Sequence, residues 1–164
     1  MAIAPAIPLF RQTGESDRVK TRDRTMGIVT TTITVKNLMD EILAERGLIP
    51  TEEIRSITLD NVLVDTGATR LCLPTQAIEQ LGLPLAEEID VKTASGIQKT
   101  RLFKRLSLTV EGRTGEFTCV ELPGGQDALL GVIPLESLGL QPDVIQQRLV
   151  VLPERGNNTY HLLY

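Results

Sequence analysis

The sequence predicts a mostly β protein whose strands form a closed barrel, with one or two short helices. Short segments with alternating apolar and polar residues recur along the chain, as is typical of half-buried strands. Two fully apolar runs, Val62–Val64 and Ala128–Leu130, indicate buried strands, and a short helix-like segment follows each of them. Strands at this spacing do not fit an alternation with long helices, so a parallel α/β fold is not expected.

The composition is that of one globular domain with appended ends. The chain has 164 residues, of which 41% are hydrophobic and 23% charged, and it is long enough to bury a core. A net charge of −4 offers no basic surface for nucleic acids, and aromatic residues, which stack on bases, make up only 3%. We therefore expect no nucleic-acid partner.

Residues that form disulfides or bind metals are few. Cys72 and Cys119 could pair, but two cysteines do not make a disulfide framework, and free thiols in a reducing compartment are the expected state, which favours the cytoplasm. His161 is the only histidine, so a zinc site or a Cys-His nucleophile has almost nothing to build from. We expect neither a metal nor a cofactor.

The chain divides into a folded domain and two ends. Residues 1–10 are apolar but too short to span a bilayer, and they lack the layout of a signal peptide, so no membrane partner is expected. Residues 11–25 carry five basic and three acidic side chains without periodicity. The prediction is a flexible N-terminal extension over 1–26, a folded domain over 27–152, and a C-terminal tail or short hairpin strand over 153–164.

The first elements of the folded domain alternate between strand and helix patterns. Ile28–Val35 and Ile54–Leu59 have the period of strands, and Asp60–Asn61 predicts a bulge or bend before the central strand. Asn37–Gly47 has apolar residues on one helical face, a capping asparagine at its start and a glycine at its end. This segment therefore predicts a helix between two strands.

The remaining elements are mostly short strands. The apolar run Leu71–Pro74 is followed by a predicted helix at Thr75–Leu81, closed by Gly82. Strands are then predicted at Ile89–Thr93 and Ile97–Leu102, joined by Ala94–Gly96, and a strand from Leu102 to Val110 is expected to pair with Phe117–Leu122. The run Ala128–Gly131 precedes a predicted helix around Leu135–Leu138, and the last predicted strands are Arg148–Leu152 and Tyr160–Leu163.

The stretch Asp65-Thr66-Gly67 organises this pattern. The buried strand Val62–Val64 runs directly into Asp65, and an unpaired charge at such a position is costly unless it has a partner or a function. Aspartate and glycine are also ordinary turn formers, so the stretch alone could simply end a strand. The rest of the chain has to decide between these interpretations.

The chain resembles the retropepsin-like aspartic proteases, single-domain relatives of pepsin found in retroviruses, retroelements and bacteria. The resemblance rests on Leu63–Ala68, on the apolar-apolar-glycine of Leu129–Gly131 with a helix after it, and on a hairpin between the two motifs. It spans about residues 28–152, and the two motifs in this order are more specific than either alone. The folded domain over 27–152 is accordingly expected to be a protease domain with a pepsin-like barrel.

The resemblance implies a role for each motif residue. Asp65 would be the catalytic acid or base, Thr66 would hydrogen-bond across the axis of a dimer, and Gly67 would let the backbone pass close to the carboxylates. The family's flap, which closes over substrate, would be formed by Ala94, Ser95 and Gly96.

The chemistry of the family needs two carboxylates that share one proton and hold a water between them. This chain has one Asp-Thr-Gly, and the other aspartates considered, Asp60, Asp90, Asp127 and Asp143, lack the motif. The second carboxylate is therefore expected from Asp65 of another copy, which predicts an aspartic endopeptidase that acts on a peptide or protein substrate as a twofold homodimer.

Three features depart from the retroviral pattern. Val132 follows the second glycine where retroviral enzymes often have arginine, the hairpin tip has little glycine, and Asn37–Pro50 is an insertion. These departures leave open a non-catalytic module of the same fold that dimerises or binds peptides, because a fold does not dictate activity. An unrelated small β barrel with a chance turn is the third interpretation.

Overall fold

The computed structural model describes residues 27–122 and 124–153. Nine strands make up most of this part of the chain. They are β1 (Thr30–Asn37), β2 (Ser56–Val64), β3 (Leu71–Pro74), β4 (Leu85–Thr93), β5 (Gly96–Val110), β6 (Arg113–Leu122), β7 (Leu129–Leu130), β8 (Leu140–Asp143) and β9 (Arg148–Val151).

Seven strands form one sheet in the order β1-β2-β7-β3-β6-β5-β4, and β8 pairs with β9 in a separate hairpin. Strand β1 also pairs with β5, so the pairings of six strands form a ring, and β4 is attached to its outside. The prediction of a mostly β fold of the pepsin-like kind is confirmed in its general form. Closure of the ring into a barrel stays a prediction.

The described residues contain three short α-helices rather than one or two: α1 (Leu38–Glu45), α2 (Thr75–Leu81) and α3 (Val132–Leu138). A single 3-10 turn, Thr51–Glu53, precedes β2. Helix α1 begins where the sequence predicts, because the Asn37 side chain accepts a hydrogen bond from the backbone N–H of Asp40 at 3.0 Å. Gly82 ends α2 in a left-handed conformation, as predicted.

Most strand predictions are confirmed, with differences at the edges. The bulge is present at Asp60–Asn61, where the register against β1 shifts and Asn61 has a φ of 58°. Strand β4 starts at Leu85 rather than Ile89, and β5 continues through Arg105, whose φ is 65°. Arg105 lies where the register of β5 with β6 shifts, so the strand bends there without ending.

The two faces of the sheet carry separate apolar clusters. Along β2, Val62 and Val64 point into the main core, whereas Leu63 between them packs with a second cluster on the other face. This alternation places Asp65, the next residue on the side of Leu63, toward the second cluster. The strand thereby anchors itself in the core and presents Asp65 away from it.

Some predictions concern residues beyond the described part of the chain. The flexible extension over 1–26 and the terminal strand at Tyr160–Leu163 lie there, so the domain boundaries and the C-terminal hairpin stay predictions. Between residues 27 and 153, leaving out 123, no helix is long and apolar enough to cross a membrane.

Candidate active site

Asp65 lies at the junction of two distant parts of the chain. Strand β7 runs parallel to β2, with Leu63 beside Leu129 and Val64 beside Leu130. The backbone N–H of Asp65 donates to the carbonyl oxygen of Leu130 at 3.0 Å. The second motif, Leu129–Gly131, is therefore the direct support of the first.

Backbone hydrogen bonds also fix the loop that follows Asp65. The N–H of Ala68 donates to the carbonyl oxygen of Asp65 at 3.0 Å, which closes a tight turn. Helix α3 then binds the loop from the other side, because the N–H of Val132 donates to Ala68 at 2.9 Å and that of Ile133 donates to Thr69 at 2.8 Å. The carbonyl groups of Ala68 and Thr69 thus accept hydrogen bonds from the first turn of α3.

Gly131 makes this close approach possible. A Cβ atom at residue 131 would lie 2.4 Å from the carbonyl oxygen of Arg70 and 2.6 Å from that of Ala68. Both obstacles are backbone atoms of the loop between β2 and β3, which a side-chain rotation cannot remove. Glycine is therefore required at this position for steric reasons.

The two carboxyl oxygens of Asp65 have different environments. Oδ1 accepts a hydrogen bond from the backbone N–H of Gly67 at 2.8 Å. Oδ2 is buried and has no hydrogen-bond partner among the described residues. Burial raises the pKa of the Asp65 carboxyl above its ordinary value, and the hydrogen bond from Gly67 opposes that shift. This arrangement favours retention of a proton, which an unpartnered oxygen can donate to a ligand.

The apolar surface beside Asp65 is the second cluster. Its buried members come from four strands and are Cys72, Leu102, Val120, Leu122 and Leu129, with Leu63, Ile89 and Val91 partly buried against them. Ile89 and Val91 belong to β4, so the predicted flap hairpin packs over the same face from which Asp65 projects. The site is thereby an apolar surface with one carboxyl group at its end.

Cys72 belongs to this surface, a position that sequence reasoning missed. Burial, with a smaller contribution from the nearby charge of Asp65, raises the pKa of the Cys72 thiol to about 12. Both cysteines are free, as expected. In the parallel pair β3 and β6, Cys72 lies beside Val120 and Cys119 beside Leu71, so the two thiols point to opposite faces of the sheet. Strand alternation over Leu71–Pro74 could have separated the face of Cys72 from that of Leu71, but it does not show which of the two faces Asp65 shares.

The predicted flap residues lie at the tip of the hairpin. Ala94 and Ser95 connect β4 to β5, Gly96 begins β5 with a φ of 117°, and all three are exposed. The Thr93 hydroxyl donates to the carbonyl oxygen of Gly96 at 2.8 Å and accepts from the N–H of Ser95 at 3.2 Å. The tip is thus held by bonds within the hairpin, and no described hydrogen bond joins it to Asp65.

The remaining predicted residues lie apart from one another. Thr66 is exposed next to Asp65, in a position open to a second molecule. Asp60 and Asp127 instead line a cleft of about 680 Å³ beside residues 59–62 of β2, and Asp65 does not contribute to it. Neither aspartate is placed to supply the second carboxylate within one chain. In the described part of the chain, no group of three or more acidic, cysteine or histidine side chains could hold a metal ion.

Two ion pairs with a buried carboxylate and a half-exposed arginine were also missed from the sequence. Glu121 accepts two hydrogen bonds from Arg101 and one from the Thr75 hydroxyl, all at 2.8 Å. Asp40 accepts three from Arg55, including one from its backbone N–H at 3.0 Å. The partner arginine is the largest cause that lowers the pKa of each carboxyl group.

Comparison with known families gives one match. A family model described as aspartyl protease matches residues 53–133, which run from the turn before β2 to the first turn of α3. The matched segment contains Asp65, the hairpin and Gly131, and the family is of the retropepsin type. Residues 53–133 therefore match an aspartyl protease family, and the resemblance is confirmed. No curated protein matched the chain in a sequence search.

Proposed function

We propose that the protein is an aspartic endopeptidase that cleaves peptide bonds as a homodimer, with a water molecule activated between the Asp65 carboxylates of the two copies. The observation that carries the proposal is the Asp65 carboxyl itself. One of its oxygens is fixed by Gly67, and the other is buried, with no hydrogen-bond partner between residues 27 and 153 (123 left out), beside an exposed loop. A single such group cannot act as base and acid at once.

The reaction divides the work between two carboxyl groups that share one proton. The ionised Asp65 takes a proton from water as the water oxygen attacks the scissile carbonyl carbon, and the protonated one donates to the carbonyl oxygen. The tetrahedral intermediate then collapses as the C–N bond breaks: the carboxyl group that took the proton from water passes it to the leaving nitrogen, and the other takes back a proton from a hydroxyl of the intermediate. The products are a carboxylic acid and an amine, and both carboxyl groups return to their starting state.

The second apolar cluster gives the substrate its place in this proposal. An extended peptide would lie between that surface and the flap hairpin, with backbone hydrogen bonds along its length and alternate side chains facing Leu63 and Leu129. Ala94, Ser95 and Gly96 would close over it and exclude water from the carboxyl pair. The exposed position of all three residues leaves them free to make this contact.

The variant Asp65→Asn tests the proposal directly. We expect kcat/KM on a peptide library at pH 4 to 6 to fall by at least about 100-fold, because the variant lacks the acid–base pair. A transition-state mimic of the pepstatin type should also bind the wild type more tightly than the variant.

The matched control is Asp127→Asn, which changes an exposed aspartate near the second motif. It should retain the activity of the wild type. Activity in Asp65→Asn above about one part in a hundred would contradict the assignment. A dimeric wild type that binds peptides without cleaving any of the library would instead identify a non-catalytic module.

A further inference from the structure

A positively charged side chain lies on the same face of the sheet as Asp65. The guanidinium of Arg70 donates a hydrogen bond from Nη1 to the hydroxyl oxygen of Thr118 at 3.1 Å. Thr118 belongs to β6, in which strand alternation puts its side chain on the face of Val120, a member of the second apolar cluster. The charge of Arg70 is therefore held on the face from which Asp65 projects.

The backbone of Arg70 is fixed by residues of the site. Its carbonyl oxygen accepts a hydrogen bond from the Cys72 thiol at 3.6 Å, and a Cβ at residue 131 would lie 2.4 Å from the same oxygen. Burial is the main cause that raises the pKa of the Cys72 thiol, and the charge of Asp65 contributes, so these two side chains lie near each other. Arg70 is thus anchored between the second glycine and a neighbour of the candidate catalytic group.

The charge of Arg70 is not neutralised within the described part of the chain. Arg55 and Arg101 each pair with a buried carboxylate, and Arg113, which is half-buried like Arg70, donates to three backbone carbonyl groups. Between residues 27 and 153, with 123 left out, the Arg70 side chain forms no ion pair, and its one hydrogen-bond acceptor is a neutral hydroxyl. A guanidinium has five N–H donors, and a partly desolvated one is best stabilised by an anion.

We propose that Arg70 binds an acidic side chain of the substrate, so that the peptidase selects peptides with a glutamate or aspartate near the scissile bond. The inference rests on the proposed function, because it gives that site a substrate class. A carboxylate can accept two parallel hydrogen bonds from a guanidinium, which combines charge with a fixed geometry. An extended peptide presents alternate side chains to the face beneath it, so one can reach Arg70 while others contact the second apolar cluster.

The twofold arrangement of the proposed enzyme makes this preference symmetric. Each copy would supply one Arg70, so the two guanidinium groups would lie on opposite sides of the carboxyl pair. An acidic residue should then be favoured on both sides of the scissile bond. The chain has a net charge of −4 and does not attract acidic peptides at long range, so the selection depends on the local contact with Arg70.

Peptide pairs that differ only in glutamate against glutamine test the inference. The differing residue is placed in turn at each position of an otherwise uncharged peptide, and kcat/KM is measured at about pH 6, where a peptide glutamate is ionised. We expect the wild type to prefer glutamate by at least about tenfold at one or more positions on each side of the cleaved bond, as is typical of a charge-assisted contact.

Variants of Arg70 assign the preference to this side chain. Arg70→Gln should remove it, whereas Arg70→Lys should retain part of it, because the charge is kept and the planar fork is lost. Arg70→Glu should favour a lysine peptide over the glutamate peptide. The matched control is Arg148→Gln, which changes an exposed arginine of the separate β8–β9 hairpin and should keep the preference of the wild type.

The outcomes separate this inference from the proposed function. Equal kcat/KM for both members of every pair, or a glutamate preference that persists in Arg70→Gln, would overturn the role of Arg70 and leave the Asp65 site intact. If the wild type cleaves none of the peptides, the proposed function fails, and fluorescence anisotropy of the labelled pairs decides the inference. Tighter binding of glutamate peptides that is lost in Arg70→Gln would support it, and equal binding would overturn it. Circular dichroism of each variant verifies that the chain is folded.

Discussion

The backbone N–H of Gly67 donates to Oδ1 of Asp65 at 2.8 Å, and a Cβ at residue 67 would lie 3.1 Å from the same oxygen. The glycine thus orients the carboxyl group with its amide and leaves room for it. Because Oδ1 is fixed, the proton that the carboxyl group retains is favoured on Oδ2. The Asp-Thr-Gly motif thereby gives the two carboxyl oxygens of Asp65 different environments.

The first prediction concerns pH. Burial raises the pKa of Asp65, so one proton should stay on the carboxyl pair at pH values where a free aspartate is fully ionised. Activity should follow a bell-shaped profile with its optimum on the acid side of neutral, because neither the fully protonated nor the fully ionised pair is competent. Initial rates from about pH 3 to 9 provide the measurement. A rate that still rises beyond pH 8 would point to a different base.

A second prediction concerns concentration. If Asp65 of each copy contributes half of the site, specific activity should fall on dilution below the dimer dissociation constant, in parallel with the weight-average mass. Mixing the wild type with an excess of Asp65→Asn should reduce the activity further, since mixed dimers carry only one competent carboxyl group. An equal excess of Asp127→Asn chains, which keep Asp65, serves as the control and should not reduce the activity. Constant activity per chain in a monomeric sample would refute the shared site.

The third prediction concerns Gly131. Gly131→Ala should lower the free energy of unfolding by about 2 kcal/mol or more, because the new methyl group would overlap backbone atoms that cannot move independently. The variant should also lose activity under conditions in which it remains folded, since the atoms displaced belong to the loop that carries Asp65. Gly27→Ala is the control, because a Cβ there meets nothing within 4 Å. Urea unfolding of both variants measures the difference. Equal free energies of unfolding in Gly131→Ala and Gly27→Ala would contradict the prediction.

The fourth prediction concerns the ion pair of Glu121 with Arg101. The pairing lowers the pKa of Glu121, so its stabilisation is present above the ordinary glutamate pKa and is lost as pH falls through the lowered value. Glu121→Gln should cost about 1–3 kcal/mol at pH 7, and the difference should shrink on acidification below about pH 4.

The exposed ion pair of Asp90 with Lys99 offers the matched control for that measurement. Both side chains are more than half exposed, so Asp90→Asn should change the free energy of unfolding by less than about 0.5 kcal/mol at any pH. If Glu121→Gln lowers the free energy of unfolding by no more than Asp90→Asn does at pH 7, burial of Glu121 does not strengthen its ion pair.

The local signals in the sequence were sufficient for most of the fold. Asn37 and Gly82 delimit helices because capping depends on the residue itself. The start of β4 was missed because the charged residues Glu87 and Glu88 hide the strand pattern on an exposed hairpin. Strand β8 was missed because Pro142 interrupts a four-residue segment whose only partner is β9.

The site was predictable to a smaller extent. The motif identified Asp65, and the second motif could be recognised as its support. The burial of Glu121 could not be read from Arg113–Leu122, because a glutamate near the end of a strand is usually exposed, and its partners come from β5 and α2. The place of Cys72 beside Asp65 likewise depends on which face of β3 meets the flap hairpin, which is a property of the tertiary structure.

The bond from Asp65 to Leu130 also has a consequence for the newly made chain. Ribosomes synthesise a protein from its N-terminus, so Asp65 leaves the ribosome well before the segment that closes its loop. Until Leu129 and Leu130 have joined the sheet, the aspartate has a backbone N–H without its acceptor and a loop without its second anchor. Under the proposed function, a nascent or truncated copy would therefore be inactive, and only chains synthesised past Gly131 could form the site.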